Sequence, residues 1–379
     1  MPASMKVTIV GAGIAGLATA WALTKRGHAV TLVEQGPIPN PLSASGDEHR
    51  LMRRAYGTAD GYARLINEAL EAWDELWLDF GRSYYADRGV IAINQYPNDG
   101  GAAFATSLDR GGYAYDRYTP SEAAERWPYL DPATFRHAFY SPDGGALLCR
   151  HIAAGLAAWL RAHGAVLREN STVTALDEGA GLVTLGDGEV LAAERVVVCA
   201  GAWTLRLMPD LADTLTVCRT AAVYLDPPEH LRAAWADSPA VQNVGGIIAG
   251  YVLPPIEGTG LKFAAGVNKR LAHDPSANRV PAPGEGERLR DLFSAPFADV
   301  AAYRVAKVVT CAYTFTEDHT FFSRARGRTL TVSACSGHGY KFGAAVGRRV
   351  ADAVCDGEHD TLRRWLRAEL PPRTLALAS

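Results

Sequence analysis

KVTIVGAGIAGLATAWALTKRGHAVTLVEQ, residues 6–35, decides the fold. Its first five residues form an apolar, β-branched run of the kind found in strands buried on both faces. A glycine turn follows, with Gly11, Gly13 and Gly16 in the spacing G-x-G-x-x-G. LATAWALTKRG then carries apolar positions at helical spacing and closes on Gly27, placed to end a helix. AVTLVEQ reads as a second strand. In a strand–turn–helix–strand setting the three glycines permit a tight turn, close approach of the backbone to a pyrophosphate, and close packing of helix on strand. The helix N-terminus adds free N–H groups and the positive end of its dipole. Glu34 ends the second strand, where an acidic side chain accepts hydrogen bonds from ribose hydroxyls. The segment predicts a dinucleotide site; the alternative is a tight βα turn with no ligand. FAD and NAD share this fingerprint, so it does not separate them.

The same α/β character returns twice further along. HIAAGLAAWLRAH (151–163) predicts a helix, followed by strands near 165–168 and 172–176 and by the buried-strand run ERVVVCAGAW. The chain closes with a strand (TLTVSAC), a glycine turn (SGHGYKFG) and a helix (AAVGRRVADAVC). A helix is also predicted over 61–79, where aromatic and aliphatic residues share one stripe. Between these pieces the pattern changes to short β-like runs such as GVIAIN after Arg82, and to short strands with Gly/Pro breaks over 215–325. At 379 residues the chain exceeds what one hydrophobic core serves. The predicted fold is α/β: a Rossmann-like dinucleotide-binding domain interrupted by a mainly antiparallel β-sheet (α+β) substrate domain. The first takes residues 1–81, 150–214 and 326–379, the second 82–149 and 215–325.

A net charge of −3 gives no electrostatic reason to expect nucleic acid or an anionic membrane as partner. No apolar run approaches the roughly 20 residues of a membrane-spanning helix. The N-terminus runs almost directly into a strand, without a signal-peptide core, and Met5 is a second candidate initiator that would leave Met1–Ser4 as an extension. The six cysteines stand apart without CxxC pairs, which fits neither a zinc site nor a disulfide framework. A cytoplasmic protein without a bound metal is the simplest expectation.

VVVCAGAW (196–203) and PDGGALLCRHIAAGLAAWLRAHGAVLREN (142–170) resemble segments of FAD enzymes of the D-amino-acid-oxidase class. With SGDEHRLMRRAYG (45–57), GTGLKFAAG (258–266), VVTCAYTFTEDH (308–319) and SGHGYKFG (336–343), the chain resembles monomeric sarcosine oxidase and its relatives over nearly its whole length. The resemblance implies FAD, with Gly11, Gly13, Gly16, Glu34, Ser45, Arg50, Val173, Gly201, Cys311, Gly337, Gly339 and Lys341 around the cofactor. It assigns the substrate carboxylate to Arg53 and Lys341, since a guanidinium fork fixes a carboxylate in distance and plane. Without it, Arg50, Arg53 and Arg54 read as solvated charges on a helix face.

The resemblance further implies that Cys311 holds the flavin by a thioether. Read alone, Cys311 is a buried strand cysteine, and the other five read as core residues. Lys262 matches a lysine at the flavin's N5 edge, where a fixed cation stabilises charge on reacting O2; by itself it reads as a surface lysine on a strand. Tyr251 matches an active-site tyrosine, and Arg50 and His338 complete the candidate catalytic set. His338 is equally readable as structural. Two departures stand out. Ala44 and Ser45 replace a histidine pair, and Gly266 stands in for a histidine after the lysine, which opens the pocket to a substrate bulkier than sarcosine or cyclic.

The implied activity is oxidation of a C–N bond in a small amine or amino acid to an imine, with O2 reduced to H2O2, by a monomer. Alternatives are a dehydrogenase on the same fold that passes electrons to a quinone or another carrier, a nicotinamide-dependent dehydrogenase, and a non-catalytic flavin-binding protein.

Overall fold

A computed structural model describes residues 4–370. Residues 1–3 of the N-terminal extension, and 371–379 of the last segment expected in the first domain, lie outside the described residues. Lys6–Val10 is a central strand, paired in parallel with Ala29–Val33 on one side and Arg195–Val198 on the other. Val166–Arg168 and Thr329–Ser333 extend this sheet in parallel, and Phe322–Arg326 adds an antiparallel edge. The helix Ile14–Lys25 is buried along most of its length, which explains why it is apolar nearly all round rather than on one stripe. It packs on the helix Gly343–Asp356 so closely that a Cβ on Gly347 would stand 2.4 Å from the Ala18 backbone. The stripe over 61–79 forms the helix Asp60–Phe80, closed by Gly81 in the left-handed conformation. HIAAGLAAWLRAH lies within Cys149–Ala162.

The second sheet runs, edge to edge, through Arg270–Leu271, Thr216–Asp226, Leu261–Ala265, Gly250–Leu253, Ala240–Val244, Val90–Asn94, His137–Ser141 and Asp116–Tyr118. Arg304–Phe315 also pairs with Thr216–Asp226. Every pairing is antiparallel except Ala240–Val244 with Val90–Asn94, where the two β-rich chain segments meet. The strands of 215–325 are not all short: Thr216–Asp226 and Arg304–Phe315 have 11 and 12 residues, in stretches free of Gly and Pro. Each main sheet has its own core. One gathers Ile9, Trp21, Trp73 and Val346, the other Trp235, Phe263, Phe297 and Tyr303.

Two details depart from the expected division. The charged stretch 45–57 is not a helix face; its His49–Arg53 part is a strand, paired antiparallel with Gly144–Leu148. Tyr85–Ala86 joins the same small sheet, in which His49–Arg53 and Gly144–Leu148, expected in different domains, pair directly. Phe322–Arg326 likewise crosses the expected boundary at 326. The helices Gly101–Gly111, Pro120–Arg126, Glu285–Asp291 and His359–Leu366 are additional; Pro120–Arg126 starts with a Thr119/Glu122 capping box.

Candidate active site

A cavity of about 280 Å³ is lined at one end by the glycine turn and at the other by Arg53, Tyr251 and Lys341. At the first end Gly11 has φ +99°, and a Cβ there would lie 2.6 Å from the Cys199 carbonyl oxygen. Gly11 and Gly13 line the cavity; Gly16 does not. A Cβ on Gly16 would stand 1.9 Å from the Gly11 carbonyl oxygen, so its contribution is helix–strand packing rather than contact with a ligand.

The Glu34 carboxylate is buried and already oriented. Its Oε2 accepts from the Ala12 N–H (2.8 Å), and its Oε1 from Asn40 Nδ2 (2.9 Å) and the Gly36 N–H (3.1 Å). Oε2 keeps a lone pair for a ribose hydroxyl. Ser45 Oγ accepts from the Ile14 N–H (3.0 Å), so Ser45 caps the start of the helix as well as lining the cavity. Val173 and Gly201 line the same end, as do Trp203, the last residue of VVVCAGAW, and Arg206, which lies outside the quoted motifs.

At the other end Arg53 and Lys341 face the cavity from different parts of the chain, Arg53 closing its strand and Lys341 in a short 3₁₀ turn, Gly339–Phe342. Arg53 Nη1 donates to the Ala55 carbonyl (2.8 Å), and its guanidinium lies 4.6 Å from the Tyr56 ring and 5.2 Å from the Phe104 ring. Lys341 Nζ donates to the His338 carbonyl (2.9 Å) and lies 5.4 Å from the same Tyr56 ring. Among the described residues neither cation has a carboxylate partner. Burial, then the neighbouring Arg53 charge, holds Lys341 well below the ordinary lysine value, and burial lowers Arg53 too. A carboxylate bound beside them would pair with Arg53 and favour the charged form of Lys341.

Gly337, Gly339 and His338 also line this end. Burial, with the Lys341 charge, depresses His338 to about 3, so it is neutral, and its ring packs among Tyr62, Phe321 and Phe342. Arg50 lines the cavity while its guanidinium bonds Asp47, the His49 carbonyl (3.1 Å) and the Ala44 carbonyl (2.6 Å).

Lys262 is neither a surface lysine nor on the cavity wall. It is 1% exposed, its Nζ donates to Asp47 Oδ2 at 2.6 Å, and it lies 5.5 Å from the Tyr251 ring, which does line the cavity. Cys311 is buried with its Sγ 3.9 Å from Arg50 Nη2; the next three residues, Ala312, Tyr313 and Thr314, line the cavity. Asp47 and Tyr224, which bonds it, were not legible as site residues. Their signal is contact between positions far apart in the chain.

A turn that admits a pyrophosphate and a ribose-ready carboxylate on the wall of one cavity point to a dinucleotide-dependent protein. The FAD dependent oxidoreductase (DAO) family model matches residues 6–353, and the chain belongs to that family. It is 26% identical over 375 residues to a monomeric sarcosine oxidase of Bacillus sp. (strain NS-129), covering 95% of this chain and 96% of that one. It is also 26% identical to an N-methyl-L-tryptophan oxidase of Yersinia pestis (strain Pestoides F), with 90% and 93% covered. Among solved structures it is similar to NikD, an amino acid oxidase essential for nikkomycin biosynthesis (TM-score 0.78, 22% identity, 94% and 95% covered). It is similar as well to L-proline dehydrogenase from P. horikoshii (TM-score 0.81, 18% identity, 97% and 98% covered). The residues along the cavity fit FAD: Gly11 and Gly13 leave room for a pyrophosphate, Glu34 could hold a ribose, and Arg50, Gly337 and Gly339 could hold the ring.

Proposed function

We propose that the protein oxidises the C–N bond of a small secondary or cyclic amino acid, turning HC–NH into C=N while O2 takes up two electrons and two protons to become H2O2. The observation that carries this reading is Arg53 and Lys341 facing one cavity with no carboxylate partner among the described residues. A carboxylate bridging them satisfies both charges and sets the adjacent carbon at a fixed distance from the ring site. The flavin, when bound, accepts the two electrons and hands them to O2. Arg53 contributes the planar fork and Lys341 a point charge, so the substrate is held in orientation as well as position. Tyr56 lies against both side chains, with Phe104 beside Arg53 and Phe342 beside Lys341, so the pair has an aromatic surround. The named activities of the sarcosine and N-methyl-L-tryptophan oxidases support a secondary amino acid.

We further assign Cys311 as the point of covalent flavin attachment: its sulfur lies 3.9 Å from Arg50 Nη2, and the three residues that follow it line the cavity. The protein acts as a monomer in the cytoplasm. An assay of oxygen uptake and peroxide release across N-methyl and cyclic amino acids tests the reading. Turnover with O2 supports it. Turnover only with an artificial electron-accepting dye moves the assignment to a dehydrogenase, and no turnover with any carboxylate-bearing amine overturns it.

A further inference from the structure

Asp47 accepts hydrogen bonds on both carboxylate oxygens at the centre of a buried cluster. Oδ2 accepts from Lys262 Nζ (2.6 Å) and from Arg50 Nη1; Oδ1 accepts from the Tyr224 hydroxyl (2.5 Å) and the Glu48 N–H (2.9 Å). Asp47 is 2% exposed and Lys262 1%. Tyr224 and Lys262 stand opposite each other in neighbouring strands, which is why both reach one carboxylate. Lys262 has a second partner in the His49 carbonyl (3.2 Å), and its remaining face looks toward the Tyr251 ring on the cavity wall.

We infer that Asp47 is a positioning residue for the reaction with O2: it fixes the Lys262 ammonium one aromatic ring behind the cavity and keeps it a cation there. The inference rests on the oxidase reading above and names a residue that reading does not use. Its basis is the cost of burying charge. An ammonium removed from water without a partner gives up its proton, and a second cation nearby hastens that. Arg50 is such a neighbour, bonded to the same carboxylate. The Lys262 charge behind the Tyr251 ring lowers the energy of the negative charge O2 acquires as it is reduced, and without Asp47 that charge is lost when Lys262 gives up its proton.

The test uses the flavin-loaded protein and the variants Asp47→Asn and Lys262→Met. Each is reduced without air by dithionite, then mixed with O2, and the return of the flavin absorbance is followed from about pH 6 to about pH 9. Sulfite, an anion that bleaches the flavin when it binds, gives a readout independent of turnover. Lys262→Met should slow reoxidation about tenfold or more at every pH. Asp47→Asn should slow it as much at high pH and recover as pH falls, when Lys262 regains its proton, with sulfite binding weakened in parallel. Arg50, His49, Tyr224, Tyr251, Glu48 and Lys307, the ionisable groups around the cluster, are the same in all three proteins; Asp47→Asn also unpairs Arg50, which stays charged throughout this pH range, so the recovery at low pH reports Lys262. Parent-like rate and sulfite affinity in Asp47→Asn, with Lys262→Met slow, overturn the inference and leave the oxidase reading intact. Parent-like rates in both remove Lys262 from the oxygen reaction, and this inference with it. Should Asp47→Asn fail to hold flavin, Tyr224→Phe keeps both charges and loses one bond to the carboxylate. A slowing of about two- to fivefold then supports the role, and an unchanged rate overturns it.

Discussion

Arg53 and Lys341 differ in what their removal should do. Arg53→Ala takes away the bidentate partner of a buried carboxylate, a loss of about 2–5 kcal/mol. The Michaelis constant for an amino-acid substrate should therefore rise roughly 30-fold or more, while an amine lacking the carboxylate is little affected. Steady-state kinetics on such a matched pair checks it; equal losses on both would mean that Arg53 holds the fold instead. Lys341 adds a pH signature. Its value is depressed, chiefly by burial, so the free protein loses this proton below the ordinary lysine value of 10.5. Carboxylate docking needs the charged form, hence kcat/KM should fall as pH rises through the depressed value. Lys341→Met should abolish that falling limb and lower the plateau about 10- to 100-fold. Both residues were readable in advance because each lies in a short contiguous motif. Asp47 lies in such a motif too, but its role was not readable: it depends on Lys262, 215 positions away.

At the level of elements, the opening βαβ unit was legible because local rules and tertiary packing agree there. Strands buried on both faces need continuous β-branched runs, and a helix cannot approach the strand over any residue but glycine at position 16. Gly16→Ala should therefore leave an expressed protein with little bound flavin and a lowered melting temperature; overpacking of this kind typically costs about 1–3 kcal/mol or more. Absorbance and thermal melting check it, and normal flavin content would show that the helix can shift. The segment 45–57 was harder to read. Its arginines suit either a solvated helix face or a strand, and the deciding partner, Gly144–Leu148, is a distant run of small and apolar residues. Short helices such as His359–Leu366 were missed for a related reason. Eight residues give too few turns for a period to register, although Leu362, Trp365 and Leu366 are fully committed to the core.

For the whole molecule, the sequence pattern separated two kinds of sheet, and the structure gives each its own core. Covalent attachment is testable at this scale. Acid precipitation of the purified protein should carry the yellow colour into the pellet, and Cys311→Ala should release it to the supernatant. Release from the parent protein would withdraw the role of Cys311 while leaving FAD in place.

The long cavity also bears on how the molecule is made. Its walls come from both sheets, Glu34 and Gly11 from one, Tyr251 and Tyr313 from the other. A ligand that touches both walls binds the assembled form alone, and mass action then favours assembly in proportion to ligand supply. The cofactor thus acts as a folding partner as well as a reagent. A cell short of flavin would accumulate chains whose two halves are less firmly joined and more open to proteolysis, so the amount of this enzyme is expected to track riboflavin status even at constant synthesis.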